Sequence, residues 1–170
     1  MPYELKIPKL RVGCLIGKKG EVKRIIERST KTKIKISSEG DVEIYGESLD
    51  GFICENIVKA IGRGFNPHIA LNLIHDDYGM EIIDLRHIVG NNRKKLKRVK
   101  SRLIGTRGKA RDIIEKLTQC YVSIYGRTVS IIGVHEKLSV AFRGIEKLLH
   151  GSPHGFVYAY LGREMKKLRD

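Results

Sequence analysis

No tryptophan occurs in this chain, and glutamine occurs once, at Gln119. Cysteine is scarce too. Cys14, Cys54 and Cys120 are odd in number and form no CxxC pair. That argues against a disulfide framework and offers no zinc-ligand spacing. Three small buried hydrophobes in a reducing cytoplasm are expected instead. No apolar run approaches the ~20 residues that a bilayer-spanning helix needs. Met1 to Arg11 mixes charge and proline with apolar residues, unlike a secretion signal. Acids are also in short supply: 19 against 33 Lys and Arg, for a net charge of +14 and a pI near 9.8. Between Asn91 and Arg111 there is none. Such an imbalance favours a polyanion, with nucleic acid ahead of an acidic membrane surface. The 41% hydrophobic content is enough for packed cores, so disorder is not expected.

What is present is present twice. Ile16-Gly17-Lys18-Lys19-Gly20 recurs as Ile104-Gly105-Thr106-Arg107-Gly108. Ile25-Ile26-Glu27 and Thr30 are answered by Ile113-Ile114-Glu115 and Thr118. The alternating Lys33–Ile36 and Val42–Tyr45 are answered by Tyr121–Ile124 and Val129–Ile132. A repeat of this length, in one element order, means two copies of a small domain.

Periodicity places the elements. Leu5–Leu10 reads as a first strand with Pro8 at an edge. Gly20–Ser29 reads as a helix, and 33–36 and 42–45 as strands about a Ser37–Asp41 turn. Ser48-Leu49-Asp50 caps a helix to about Ile61, with Phe52, Ile53, Ile57 and Ile61 inward. Asn66-Pro67 starts a short helix that belongs to neither repeat. In the second copy, Glu81–Leu85 is a strand and Arg93–Leu103 a basic helix. Lys109–Leu117 and Glu136–Leu149 are helices, and a tail helix spans His154–Arg169. The expected division is a first domain at 1–65, a connector helix at 66–78, a second domain at 79–151 and a C-terminal helix at 152–170.

These motifs resemble the signature of KH domains, a family of single-stranded nucleic-acid binders. The likeness rests on both glycine turns, on Ile26, Thr30, Ile34 and Ile36, and on Ile114, Thr118, Val122 and Ile124. Each turn follows one strand and precedes two strands and a closing helix, as in type I rather than type II KH domains. The resemblance implies an α+β fold: two type I units, each a three-stranded antiparallel sheet with helices on one face. Two departures stand out. Lys31 and Gln119 replace a common glycine, and Lys23 and Arg111 replace a common apolar residue. Asp84-Leu85-Arg86, Lys97-Arg98-Val99-Lys100, Thr128–Gly133 and Gly151-Ser152-Pro153-His154 are similar to archaeal relatives of the eukaryotic partner-of-Nob ribosome-assembly factors. That similarity implies binding near the 3′ end of small-subunit rRNA.

Chemistry gives each part a role. Glycines at both ends of a turn let backbone approach a phosphate, and the helix behind presents free N–H groups. The expected RNA contacts are Gly17, Lys18, Lys19, Gly20 and Lys23 in the first unit. In the second they are Ile104, Gly105, Thr106, Arg107, Gly108, Ala110 and Arg111, with Lys97, Arg98, Lys100 and Arg102 on the basic helix. Bases would lie on an apolar groove drawn from Leu15, Ile16, Val22, Ile25 and Ile34, or from Leu103, Ile104, Ala110, Ile113 and Val122. Each of these also suits a core. No catalytic residue, cofactor or metal site is expected. Asp76-Asp77 and Asp84 lack the histidines of a metal-dependent nuclease. The partner expected is single-stranded RNA, with a ribosome-assembly or translation protein on the first unit. Alternatives are a scaffold in which one unit docks a protein, or a factor acting on transcripts or transcription.

Overall fold

In the computed structural model, residues 2–170 are described, and they divide into two units, one ending at Tyr78 and the other starting at Gly79. The first unit opens with β1 (Tyr3–Lys6), α1 (Val12–Ile16) and α2 (Glu21–Thr30). It continues through β2 (Lys33–Ile36), β3 (Asp41–Tyr45), α3 (Ser48–Gly62) and the short α4 (Pro67–Ala70). Its sheet runs β1-β3-β2, with Leu5 opposite Val42 and Ile34 opposite Ile44. Alternation in β2 and β3 buries Ile34, Val42 and Ile44 on one face, and α2 and α3, which contact these strands, bury Ile26, Cys54, Ile57 and Ile61.

The first strand is shorter than periodicity suggests. It stops at Lys6, and Pro8 precedes a 3-10 turn over Lys9–Arg11 that leaves Leu10 88% exposed. Phe52 is likewise not inward but 53% exposed. The reason is Gly51, where α3 lies on the Tyr3 ring so closely that a Cβ would sit 2.4 Å from Tyr3 Cε2. That contact sets the rotation of the helix and turns Phe52 outward. Asn66 does cap α4, its Oδ1 accepting from the His68 N–H at 2.9 Å. The segment expected as a connector packs on α3 within the first unit.

The second unit repeats the plan with β4 (Tyr78–Asp84), α5 (Arg86–Val89), α6 (Arg93–Ile104) and α7 (Lys109–Thr118). Then come β5 (Tyr121–Tyr125), β6 (Thr128–Val134), α8 (His135–Leu149) and α9 (His154–Arg169). Its sheet order, β4-β6-β5, is that of the first. The tail helix α9 is part of this unit's core: Val157, Leu161 and Met165 are buried with Ile114, Ile145 and Leu148. Gly144 makes room, since a Cβ there would meet Leu161 Cδ2 at 2.5 Å. Two type I frames of α+β architecture thus stand in one chain. Among the described residues no helix is long and apolar enough to cross a membrane.

Candidate nucleic-acid interface

The two glycine turns have nearly the same backbone. Gly17, Lys19 and Gly20 have φ of 74°, 55° and 77°; Gly105, Arg107 and Gly108 have 75°, 56° and 75°. The first glycine is required twice over. Its positive φ disfavours other residues, and a Cβ on Gly105 would sit 2.7 Å from the Ala110 backbone N. Ala110 is therefore buried under the turn, while Thr106 and Arg107 are exposed, as are Lys18 and Lys19. Each turn opens a ten-residue helix, so donors and side-chain charge face outward together. The first turn is braced by Arg24, whose Nη1 donates to Lys19 O at 2.9 Å.

Behind each turn, helix and edge strand meet identically. Glu27 Oε2 accepts from the Ile34 N–H at 2.8 Å, and Glu115 Oε2 accepts from the Val122 N–H at 2.8 Å. Lys23 pairs with Glu27 and Arg111 with Glu115, each at 3.9 Å. The cations at the family's apolar position thus answer a carboxylate that covers an edge-strand donor. The groove candidates separate: Leu15, Ile34, Leu103 and Val122 are core, while Ile16, Val22, Ile104 and Ile113 are half-buried and Ile25 exposed.

The basic helix α6 buries Leu103 and half-buries Leu96 and Val99, as its period predicts. Its charges divide. Arg98 and Arg102 line a cleft of 680 Å³ beside the second turn, together with Ser101, Thr106, Lys109, Ile113, His154 and Tyr158. Lys97 and Lys100 lie on another side of the helix, in the row of Ile104. Arg102 is partly committed, its Nη2 donating to Ser152 O at 2.6 Å, while its Nε is buried without an acceptor. His154 Nε2 lies 2.8 Å from Arg102 O. Lys109, His154 and Tyr158 were not among the expected contacts. Lys109 stands in the acid-free run directly after Gly108, while the only trace of His154 and Tyr158 in sequence is their four-residue spacing on the tail helix.

Away from the turns, Asp84, Cys54 and Cys120 are set by local structure. Hydrogen bonds from the Arg86 guanidinium, and one from its backbone N–H, hold the Asp84 carboxyl well down, at about 2. Burial pushes the Cys120 thiol up to about 11 and raises that of Cys54. Among the described residues no three His, Cys, Asp or Glu side chains are placed to hold a metal ion.

Known proteins agree with this geometry. The family model for the eukaryotic-type KH domain (type I) matches residues 79–166, and the general KH-domain model matches residues 2–62. A KH domain-containing protein of Methanocaldococcus jannaschii is 46% identical over 97% of this chain and 74% of its own length. The pre-rRNA-processing protein pno1 of Aspergillus fumigatus is 30% identical over 68% of this chain and 47% of its own. A chain in the crystal structure of an a/eIF2alpha-aDim2p-rRNA complex from Pyrococcus horikoshii aligns with TM-score 0.90 and 45% identity, covering 98% of this chain and 95% of that one. Two type I frames, two glycine turns and these matches place the chain in the KH-domain family, as a tandem protein related to Pno1 and Dim2p.

Proposed function

We propose that this protein is a single-stranded RNA-binding factor of small-subunit ribosome assembly, acting in the cytoplasm near the 3′ end of the small-subunit rRNA without catalysis of its own. The observation that carries the reading is the pair of near-identical turns, each aiming backbone donors and cations outward from a helix start. The relatives' names, pre-rRNA processing and a complex with rRNA, supply the class of RNA. The second unit is the main RNA binder in this reading, because its turn follows an acid-free basic helix. Crosslinking in cells, with the bound RNA mapped, tests it. Recovery of the 3′-terminal small-subunit segment is the expected result, and a mixed pool of transcripts overturns it.

The first unit has a second role in this reading, docking a protein of ribosome assembly or translation. Leu10, Leu49 and Phe52 are exposed on it, and the Pyrococcus complex contains a/eIF2alpha. Pull-down with each unit's surface variants separates the two roles: Phe52→Ser is expected to weaken protein capture and leave RNA binding intact.

A further inference from the structure

The internal repeat allows each position to be compared with its own counterpart. Counting from Gly17 and Gly105, Arg98 falls at the place of Leu10, Arg102 at that of Cys14 and Lys109 at that of Glu21. The backbone of the two turns is the same, so the turn itself does not require these differences. All three put a cation on one wall: the 680 Å³ cleft beside the second turn, which no acid lines. The opposite wall is α9, a sixteen-residue helix standing where the first unit has only the four-residue α4 and a 3-10 turn over Leu71–Ile74. It brings Tyr158 and His154, whose ring centroids are 6.0 Å apart. Thr106 belongs to both turn and cleft, so a chain gripped at the turn enters the cleft directly.

We infer that this cleft is a second RNA subsite, taking a nucleotide beyond those held at the glycine turn. Its base lies against Tyr158, and its phosphate meets Arg98 and Lys109. The volume suits a ligand of nucleotide size. Cations beside an aromatic ring are the pairing that holds single strands without sequence readout. Arg102, anchored through Ser152, fixes the start of α9 against α6. The inference rests on the RNA-binding reading above.

The test compares a tetranucleotide with an octanucleotide RNA of mixed sequence on the full chain. Tyr158→Ala and the double variant Arg98→Ala, Lys109→Ala are each expected to lose about tenfold in octanucleotide affinity, as loss of one stacked, phosphate-bound nucleotide would give. For Tyr158→Ala, tetranucleotide affinity is expected to stay within about twofold, and for the double variant the octanucleotide is expected to lose several times more than the tetranucleotide. Tyr158→Phe, which keeps the ring and its packing, should bind as the parent does. Equal loss for both lengths would make the cations a general field, and unchanged octanucleotide binding would leave the cleft outside the RNA path; either overturns the subsite. Failure of the parent chain to bind either RNA overturns the RNA reading as well.

Discussion

Glu115 covers a donor that an edge strand would otherwise leave to solvent or to a base. Replacing it with alanine strands the half-buried Val122 N–H, at a cost of about 1 kcal/mol. Urea denaturation should show that loss. RNA binding should hold or tighten, because a negative charge leaves the groove. Asp84 makes a pH prediction. Its folded carboxyl titrates at about 2, below the ordinary value of about 3.9. A depressed acid stabilises the fold above its unfolded value and loses that contribution as pH falls through its folded value. The start of α5 should therefore fray between about pH 4 and pH 2. Asp84→Asn should abolish that pH dependence, read from NMR shifts of Arg86 and His87.

The helices that follow the turns both end on a residue in the left-handed region, Lys31 at φ 57° and Gln119 at φ 56°. This is where the family's usual glycine would sit, and an L side chain there costs about 1–2 kcal/mol. Lys31→Gly is expected to raise stability by about 1 kcal/mol. Gln119→Gly should gain less, because it gives up the contact of Gln119 with Lys137. Thermal unfolding of the two variants decides. The threonine before each is explained as well. Thr30 and Thr118 donate back to Ile26 O and Ile114 O at 2.7 Å, closing a buried last turn.

Across the full chain, a net charge of +14 makes any RNA affinity salt-dependent. Each phosphate contact adds about −0.7 to the slope of log K against log salt. Removing Lys97, Arg98 and Lys100 together should flatten that slope, and duplex RNA should bind more weakly than a single strand of the same length. The units differ in their surroundings. Glu21, Glu27, Glu39, Asp41 and Glu43 lie in the sequence around the first turn, while the acid-free helix precedes the second. Thr106→Asp with Arg107→Asp is expected to lower RNA affinity well over tenfold. Lys18→Asp with Lys19→Asp should cost less. Both pairs are exposed, so unfolding should shift by only about ±0.5 kcal/mol. A larger loss from the first-unit pair would exchange the roles of the two turns.

Periodicity and repetition place most elements, because amphipathic alternation and glycine chemistry act over a few residues; the short helices α1 and α5 escape that reading, and β1 lies at Tyr3–Lys6 instead of Leu5–Leu10. The strands at 33–36, the tail helix at 154–169 and both turns stand where their local patterns put them. Other exceptions arise where distant residues meet. Gly51 on Tyr3 turns Phe52 outward, and no window around Phe52 contains Tyr3. Leu15, Ile34, Leu103 and Val122 suit both a core and a base groove in sequence, with the core favoured because their elements need an inward face; packing made them core. The docking of α9 on α7 and α8 likewise belongs to tertiary structure, through Gly144 and Leu161. It brings Tyr158 beside Arg98 and Lys109 from remote segments, and a linear pattern carries no record of such an encounter.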